Sequence, residues 1–84
     1  PLLVLNHLPM LRLETEQEIF YWRTGRRIKV SKERVTKFEE NKHYYMENKF
    51  LTIQVIGISG KLEGIAKLME EFWLYPKIVF NPKN

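Results

Sequence analysis

The chain has 84 residues, 44% of them apolar and 29% charged, and a formal net charge of +4 at pH 7. This length and composition predict a single folded domain over residues 1–84 rather than a disordered chain. The sequence has no cysteine and no aspartate, which excludes disulfides, thiolate metal sites, cysteine nucleophiles and aspartate dyads.

Nothing in the sequence predicts membrane insertion or export. No apolar run approaches the ~20 residues of a membrane-spanning helix. Segment 1–11 is too short for such a span, and its histidine and prolines suit a signal peptide poorly. We therefore expect an intracellular protein with no membrane span, in a compartment that the sequence does not specify.

Two short strands are expected near the N-terminus. Residues 2–5 form an apolar run that ends before Asn6. In segment 10–14, Leu11 and Leu13 alternate with the residues between them, which predicts a second short strand or a bent continuation of the first.

The segment from residue 18 to residue 31 is predicted to form a β-hairpin. Residues 19–22, Ile-Phe-Tyr-Trp, are of types enriched in strands. Thr-Gly at 24–25 supplies the turn, either as a two-residue loop or with a glycine bulge. Ile28 and Val30 then return with their side chains on one face.

The segment from residue 31 to residue 41 permits two interpretations. A serine cap and the inward placement of Val35 and Phe38 favour a short helix, whereas alternation over residues 34–39 favours a strand. We favour the short helix or an irregular link, followed by a strand over residues 43–46.

The strongest strand signal lies in residues 50–56. Leu51, Ile53 and Val55 alternate with the residues between them, which is the pattern of an antiparallel sheet with one buried face. The turn at 57–60 contains two glycines and a serine that can cap a helix.

A helix is predicted from Lys61 to Leu74. Its apolar side chains fall on one stripe at helical spacing, and its charged side chains lie off that stripe. The stripe consists of Leu62, Ile65, Leu68, Met69, Phe72 and Trp73. Pro76 ends the helix because it forces the preceding residue toward an extended conformation, and residues 77–80 form a last short strand.

Together these elements predict an α+β fold: an antiparallel sheet of four to five strands with one principal C-terminal helix packed on one face. A short helix near Lys32–Glu40 would give a two-layer, ferredoxin-like arrangement. The spacing of Trp22 and Leu51-x-Ile53 is similar to that of the C and E strands of immunoglobulin-type sandwiches, but the helical stripe argues against that fold.

The clearest feature outside the expected core is a basic cluster between residues 23 and 37. Its seven cations are opposed only by Glu33, so the segment has a net charge of +6. The cations are Arg23, Arg26, Arg27, Lys29, Lys32, Arg34 and Lys37. Such a cluster on a hairpin can bind phosphates, because each arginine can fork to two oxygens. The aromatic side chains that can stack on unpaired bases are Tyr21, Trp22, Tyr44 and Tyr45.

The glycine pair Gly57-x-x-Gly60 after a strand resembles the GxxG loop of KH domains, which clamps RNA backbone. Glu63 stands where that family has its first core isoleucine. Residues 59–64, Ser-Gly-Lys-Leu-Glu-Gly, are similar to a short stretch of a small-subunit ribosomal protein family. Both resemblances imply RNA binding.

No catalytic or metal-binding pattern stands out. His7 and His43 lack ligand-type neighbours at metal spacing, and the adjacent glutamates at 39–40 and 70–71 diverge on any regular element. We therefore predict that the protein is not an enzyme and has neither a cofactor nor a metal site.

The favoured function is a small, non-enzymatic nucleic-acid-binding domain, with RNA as the preferred partner. The alternative is a protein–protein interaction module or a homodimeric accessory domain. It would use an edge strand or the aromatic helix end at Phe72, Trp73 and Tyr75. An acidic protein partner also fits the basic cluster, and so does a solvated hairpin tip without a ligand.

Overall fold

A computed structural model describes residues 8–80; the strand expected at residues 2–5, His7 and the polar tail at 81–84 lie outside them. Within the described part, five strands and two α-helices form an α+β fold, which confirms the predicted class. In chain order they are β1 (Met10–Arg12), α1 (Glu16–Arg23), β2 (Ile28–Lys29), α2 (Phe38–Asn48), β3 (Phe50–Ile56), β4 (Leu62–Met69) and β5 (Trp73–Val79). Short 3-10 turns cover Lys32–Arg34 and Glu70–Phe72.

All five strands belong to one sheet in the order β1-β3-β4-β5-β2. Strands β3, β4 and β5 are antiparallel neighbours, and β2 pairs antiparallel with β5. Strand β1 lies parallel to β3, with Leu11 opposite Val55. The prediction of a purely antiparallel sheet was therefore wrong. The long connection through both helices permits the parallel pairing, since a parallel crossover needs a dozen or more residues.

The predicted helix from Lys61 to Leu74 is replaced by β4, a turn and the start of β5. Central strand β4 has apolar side chains on both faces. Its apolar residues therefore also occur at the spacing of a helix, which is why the sequence pattern predicted one. Its core-facing residues are Gly64, Ala66 and Leu68, and its partly buried outward residues are Ile65 and Met69. Residues 57–60 reverse the chain between two strands, and the Gly60 amide donates to the Gly57 carbonyl at 2.9 Å.

The hairpin predicted over residues 18–31 is also corrected, because its first half is helix α1. The Thr15 hydroxyl caps the helix by accepting from the Glu18 amide at 3.1 Å, and the Glu18 carboxylate accepts from the Glu14 amide at 2.9 Å. Thr15 and Glu18 have the spacing of a capping box, although Glu18 accepts from the residue before the cap rather than from Thr15 itself. These contacts outweigh the strand propensity of residues 19–22.

The strand predicted at residues 43–46 lies inside helix α2, so that prediction was wrong. Phe38 and Tyr45 are two helical turns apart and both face the core, where their rings meet edge to face at 5.3 Å between centroids. The short helix expected near residues 32–40 is a 3-10 turn at Lys32–Arg34, before α2 begins.

The core lies between the helices and the inner face of the sheet. Trp22 of α1 is fully buried, and its indole N–H donates to the Glu63 carbonyl at 3.0 Å. Around it pack the inward residues of β3, β4 and β5, namely Leu51, Ile53, Val55, Ala66, Leu68 and Leu74. Among residues 8–80, no helix is long and apolar enough to span a membrane.

Candidate nucleic-acid interface

Arg23, the first cation of the basic cluster, is bound to a carboxylate of the protein itself. Its guanidinium lies 3.2 Å from Glu63, whose side chain is 5% exposed, while that of Arg23 is 38% exposed. The pair joins the end of α1 to β4. Arg23 therefore neutralises the buried charge of Glu63. Its main role is to stabilise the fold rather than to bind a ligand.

Arg34 is tied down in the same way by Glu18. Its guanidinium donates two hydrogen bonds to that carboxylate, at 2.8 and 2.9 Å, and a third to the Arg12 carbonyl at 2.9 Å. The Glu14 carboxylate lies 3.7 Å from Arg34 Nε, which is too far for a hydrogen bond. Arg34 Nε therefore has no hydrogen-bond partner among the described residues. The Arg34 hydrogen bonds lower the pKa of Glu18, and Glu18 raises the pKa of Arg34.

This pair predicts a loss of stability in acid. The pKa of Glu18 is lower in the folded state than in the unfolded state. The ionised carboxylate therefore stabilises the fold fully above the unfolded pKa, and this stabilisation is lost as the pH falls through the folded pKa. We expect Glu18→Gln to lower the free energy of unfolding by about 1–2 kcal/mol at pH 7. Urea titrations at several pH values test this prediction. The difference in free energy of unfolding between Glu18→Gln and wild type should narrow as the pH is lowered below the ordinary pKa of a glutamate.

Glu16→Gln is the matched control, because Glu16 lies in the same helical turn and is exposed. It should change the pH dependence little. A Glu18→Gln deficit of equal size at every pH would contradict the assigned role of the ion pair.

Three other cations of the cluster lie together over aromatic rings. The Arg26 guanidinium lies 5.6 Å from the ring centres of both Phe20 and Tyr21. Arg27 lies 4.4 Å from the ring centre of Trp73, and the Lys29 ammonium lies 5.2 Å from the same ring. None of the three forms an ion pair with a carboxylate of residues 8–80. We call the surface made by these three cations and by Phe20, Tyr21, Trp73 and Tyr75 the cation–aromatic edge.

The cation–aromatic edge follows from strand pairing. Strand β2 is an edge strand whose Lys29 stands opposite Trp73, the first residue of β5. Arg27 donates to the Tyr75 hydroxyl at 3.4 Å, and Lys29 donates to the Glu71 carbonyl. These contacts hold the cations against β5 while the side chains remain at the surface.

The two remaining cations lie apart from this edge. Lys32 forms an exposed ion pair with Glu39 at 3.7 Å, and Lys37 is an exposed residue in left-handed conformation just before α2. The structure therefore divides the predicted cluster into two arginines held by buried or half-buried carboxylates, three cations on one edge and two separate lysines.

The predicted stacking residues are also divided. Tyr44 is 48% exposed and meets Phe50 edge to face, so it lies at the surface. Tyr45 is only 7% exposed, and its hydroxyl donates to the Met69 carbonyl at 2.9 Å. Tyr45 is therefore a core residue and is not placed to stack on a base. Trp22 is likewise fully buried.

Sequence reasoning missed Trp73 and Tyr75 as neighbours of the basic cluster, because both were assigned to a helix end. That helix does not exist, and Phe72 packs in the core against Phe38 and Tyr45 instead. Among the described residues, no group of three or more histidines and glutamates is arranged to hold a metal ion.

Next to Tyr75, the outer face of β4 and β5 contains an open depression of about 610 Å³. Lys67, Met69, Glu70, Glu71, Tyr75, Pro76 and Lys77 line it. Tyr75 is shared with the cation–aromatic edge, so the depression and the edge form one continuous surface.

Comparison with known proteins finds relatives named tRNA pseudouridine synthase B in strains of Prochlorococcus marinus. The protein of strain NATL1A is 34% identical over 84 residues, which cover 96% of this chain and 26% of that protein. The protein of strain MIT 9301 is 39% identical over 80 residues, which cover 94% of this chain and 24% of that protein. The chain thus spans about a quarter of the length of these relatives. No family model matches the chain, and no solved structure matches it significantly.

Proposed function

We propose that this chain is an RNA-binding domain of the PUA-like kind, belonging to a protein related to tRNA pseudouridine synthase B. The observation that carries the proposal is the cation–aromatic edge, where Arg26, Arg27 and Lys29 stand without carboxylate partners among residues 8–80. The names of the relatives support tRNA as the RNA that the whole protein recognises.

The edge suits phosphate binding for a physical reason. A cation over an aromatic face keeps its full charge, whereas a cation paired with a carboxylate has its field cancelled. Arg27 is held by the Trp73 ring and the Tyr75 hydroxyl, so less side-chain freedom is lost when it binds an oxygen. An arginine fork can contact two phosphate oxygens at once.

We further propose that this chain has no catalytic role of its own. Within residues 8–80, the two groups with shifted pKa values, Glu18 and Arg34, bind each other. Such an ion pair is a structural arrangement rather than an acid or base poised in a cleft. In a protein about four times as long, the remaining three quarters have room for the reaction that the relatives' name describes.

The test is the salt dependence of tRNA binding. We expect the triple variant Arg26→Gln, Arg27→Gln, Lys29→Gln to bind unmodified tRNA at least about tenfold more weakly near physiological salt. The slope of log K against log salt should flatten by about one for each cation that contacted a phosphate. Both quantities come from filter binding or fluorescence anisotropy over a salt series.

A second triple variant removes the same charge elsewhere: Lys37→Gln, Lys42→Gln, Lys61→Gln. All three lysines are exposed, and none of them lines the depression or contacts an aromatic ring of the edge. This control should retain most of the affinity and the slope. Equal losses in the two triple variants, or an unchanged slope in the first, would show that the edge is not the site.

A further inference from the structure

The outer face of the β3–β4–β5 sheet presents a second set of aromatic and basic side chains. Directly opposite residues in antiparallel strands share a face. One row of outward residues is Phe50, Met69, Trp73 and Lys29, and the next is Thr52, Lys67 and Tyr75. The core lies on the opposite face, and these outward residues remain partly or largely exposed.

The depression beside this second row has the volume of a small-ligand site and includes one aromatic and two apolar lining residues. Its volume of about 610 Å³ falls within the range of roughly 300–1,000 Å³ that is usual for such sites. Tyr75, which lines the depression, is 40% exposed, and Met69 and Pro76 add apolar surface. A flat ring can therefore contact both an aromatic face and an aliphatic surface there.

The charges around the depression are balanced, since two glutamates and two lysines line it, namely Glu70, Glu71, Lys67 and Lys77. The cation–aromatic edge instead has three cations that form no ion pair with a carboxylate of residues 8–80. A phosphate is therefore attracted more strongly to the edge. The depression, with no net charge, suits an uncharged base.

The depression is continuous with the cation–aromatic edge through one contact. The Tyr75 hydroxyl accepts from Arg27 at 3.4 Å, and Arg27 in turn covers the Trp73 ring. A phosphate held by Arg27 would therefore lie beside Tyr75, which lines the depression. A nucleotide whose phosphate lies at the edge can then direct its base toward the depression.

We propose that this depression binds one unpaired base of an RNA strand, stacked on Tyr75, while the phosphates of that strand lie on the cation–aromatic edge. The inference rests on the proposed function and adds the class of RNA, which is single-stranded or locally unpaired. Base stacking on an aromatic side chain is tolerant of sequence, so the site selects unpaired geometry rather than a particular base.

The test compares two RNA probes, a short oligouridine and a fully paired RNA duplex, at one fixed salt concentration. Tyr75→Phe is the reference, because it keeps the ring and loses only the hydroxyl contact with Arg27. We expect Tyr75→Leu to bind oligouridine about tenfold more weakly than Tyr75→Phe, an effect within the range for stacking on one aromatic residue. Both variants lose the same hydroxyl, so they should bind the duplex equally. Because no charge is removed, their salt slopes should equal that of wild type.

A second measurement uses the wild-type chain and does not depend on the folding of a variant. Oligouridine containing 5-iodouridine is cross-linked by light, and the attached residue is identified by mass spectrometry. We expect attachment at Tyr75. Attachment confined to Phe20 or Trp73, or an equal loss of both probes in Tyr75→Leu relative to Tyr75→Phe, would overturn the base site while leaving the edge in place. Failure of wild type to bind either probe would instead overturn the proposed function.

Discussion

Replacing Gly64 by alanine is expected to remove most or all of the stability of the domain. Gly64 lies in central strand β4 with φ +147°, a conformation that residues with a side chain rarely adopt. A Cβ built there lies 2.0 Å from the Ile78 carbonyl oxygen and 2.8 Å from the Trp22 ring. Because the first of these atoms belongs to the backbone of β5, the clash cannot be relieved by a rotamer change.

Gly25→Ala and Gly60→Ala are matched controls for this prediction. Both glycines have positive φ, +80° and +90°, but a Cβ at either position meets nothing within 4 Å. These variants should lose only about 1–2 kcal/mol, from backbone conformation alone. Urea titrations followed by far-UV circular dichroism measure all three. A Gly64→Ala loss no larger than the control losses would show that β4 and β5 can separate to admit a methyl group.

The second large effect is expected for Trp22→Ala. Trp22 is fully buried and fills the space between α1 and the inner sheet face. Truncation of a buried tryptophan costs about 3–5 kcal/mol, a large share of the roughly 5–15 kcal/mol that stabilises a whole domain. We expect the variant to be partly unfolded at 37 °C, as measured by its thermal transition and by the dispersion of its amide NMR signals.

Trp73→Ala removes the same side chain from the surface. Trp73 is only partly buried, so the variant should lose far less stability than Trp22→Ala. The loss of stability for Trp22→Phe should fall between the losses of the two alanine variants. This variant keeps a ring in the core, and the Glu63 carbonyl, which loses the indole donor, still accepts from the Phe80 amide at 2.9 Å. Equal losses for the two alanine variants would contradict the assignment of Trp22 as the centre of the core.

The sequence predicted the parts of the fold whose pattern is local. Strand β3 was predicted over the residues that form it, because only one face of residues 50–53 is buried and period two is therefore visible. Strand β4 has buried residues on its inner face and the partly buried Ile65 and Met69 on its outer face, so its apolar residues do not alternate with polar ones. Its identity is decided by pairing with β3 and β5, which the local sequence does not display.

Helix α1 could have been found from the sequence. Thr15 and Glu18 have the spacing of a capping box, and that signal competes directly with the strand propensity of the residues that follow. Helix α2 is harder to recognise, because Phe38 and Tyr45 are its only buried residues and charged or polar side chains surround them.

The basic cluster was visible from composition, but its division was not. Which arginine meets a glutamate depends on contacts between distant parts of the chain, such as Arg23 with Glu63. The neighbours of the remaining cations, Trp73 and Tyr75, come from the first half of β5, whereas the sequence predicted a strand only from residue 77 onward. A cluster of charge along a sequence thus predicts a candidate surface, while the fold decides which of its members remain available.

The two edge strands of the sheet affect how the domain behaves at high local concentration. In residues 8–80, β1 has three residues and β2 has two. Leu11 of β1 also bridges to Val35, and the Thr36 amide donates to the Met10 carbonyl at 2.9 Å. Little unsatisfied main chain is left there as a template for another copy. Molecules gathered on one polyanion should consequently resist strand exchange and amyloid-like stacking.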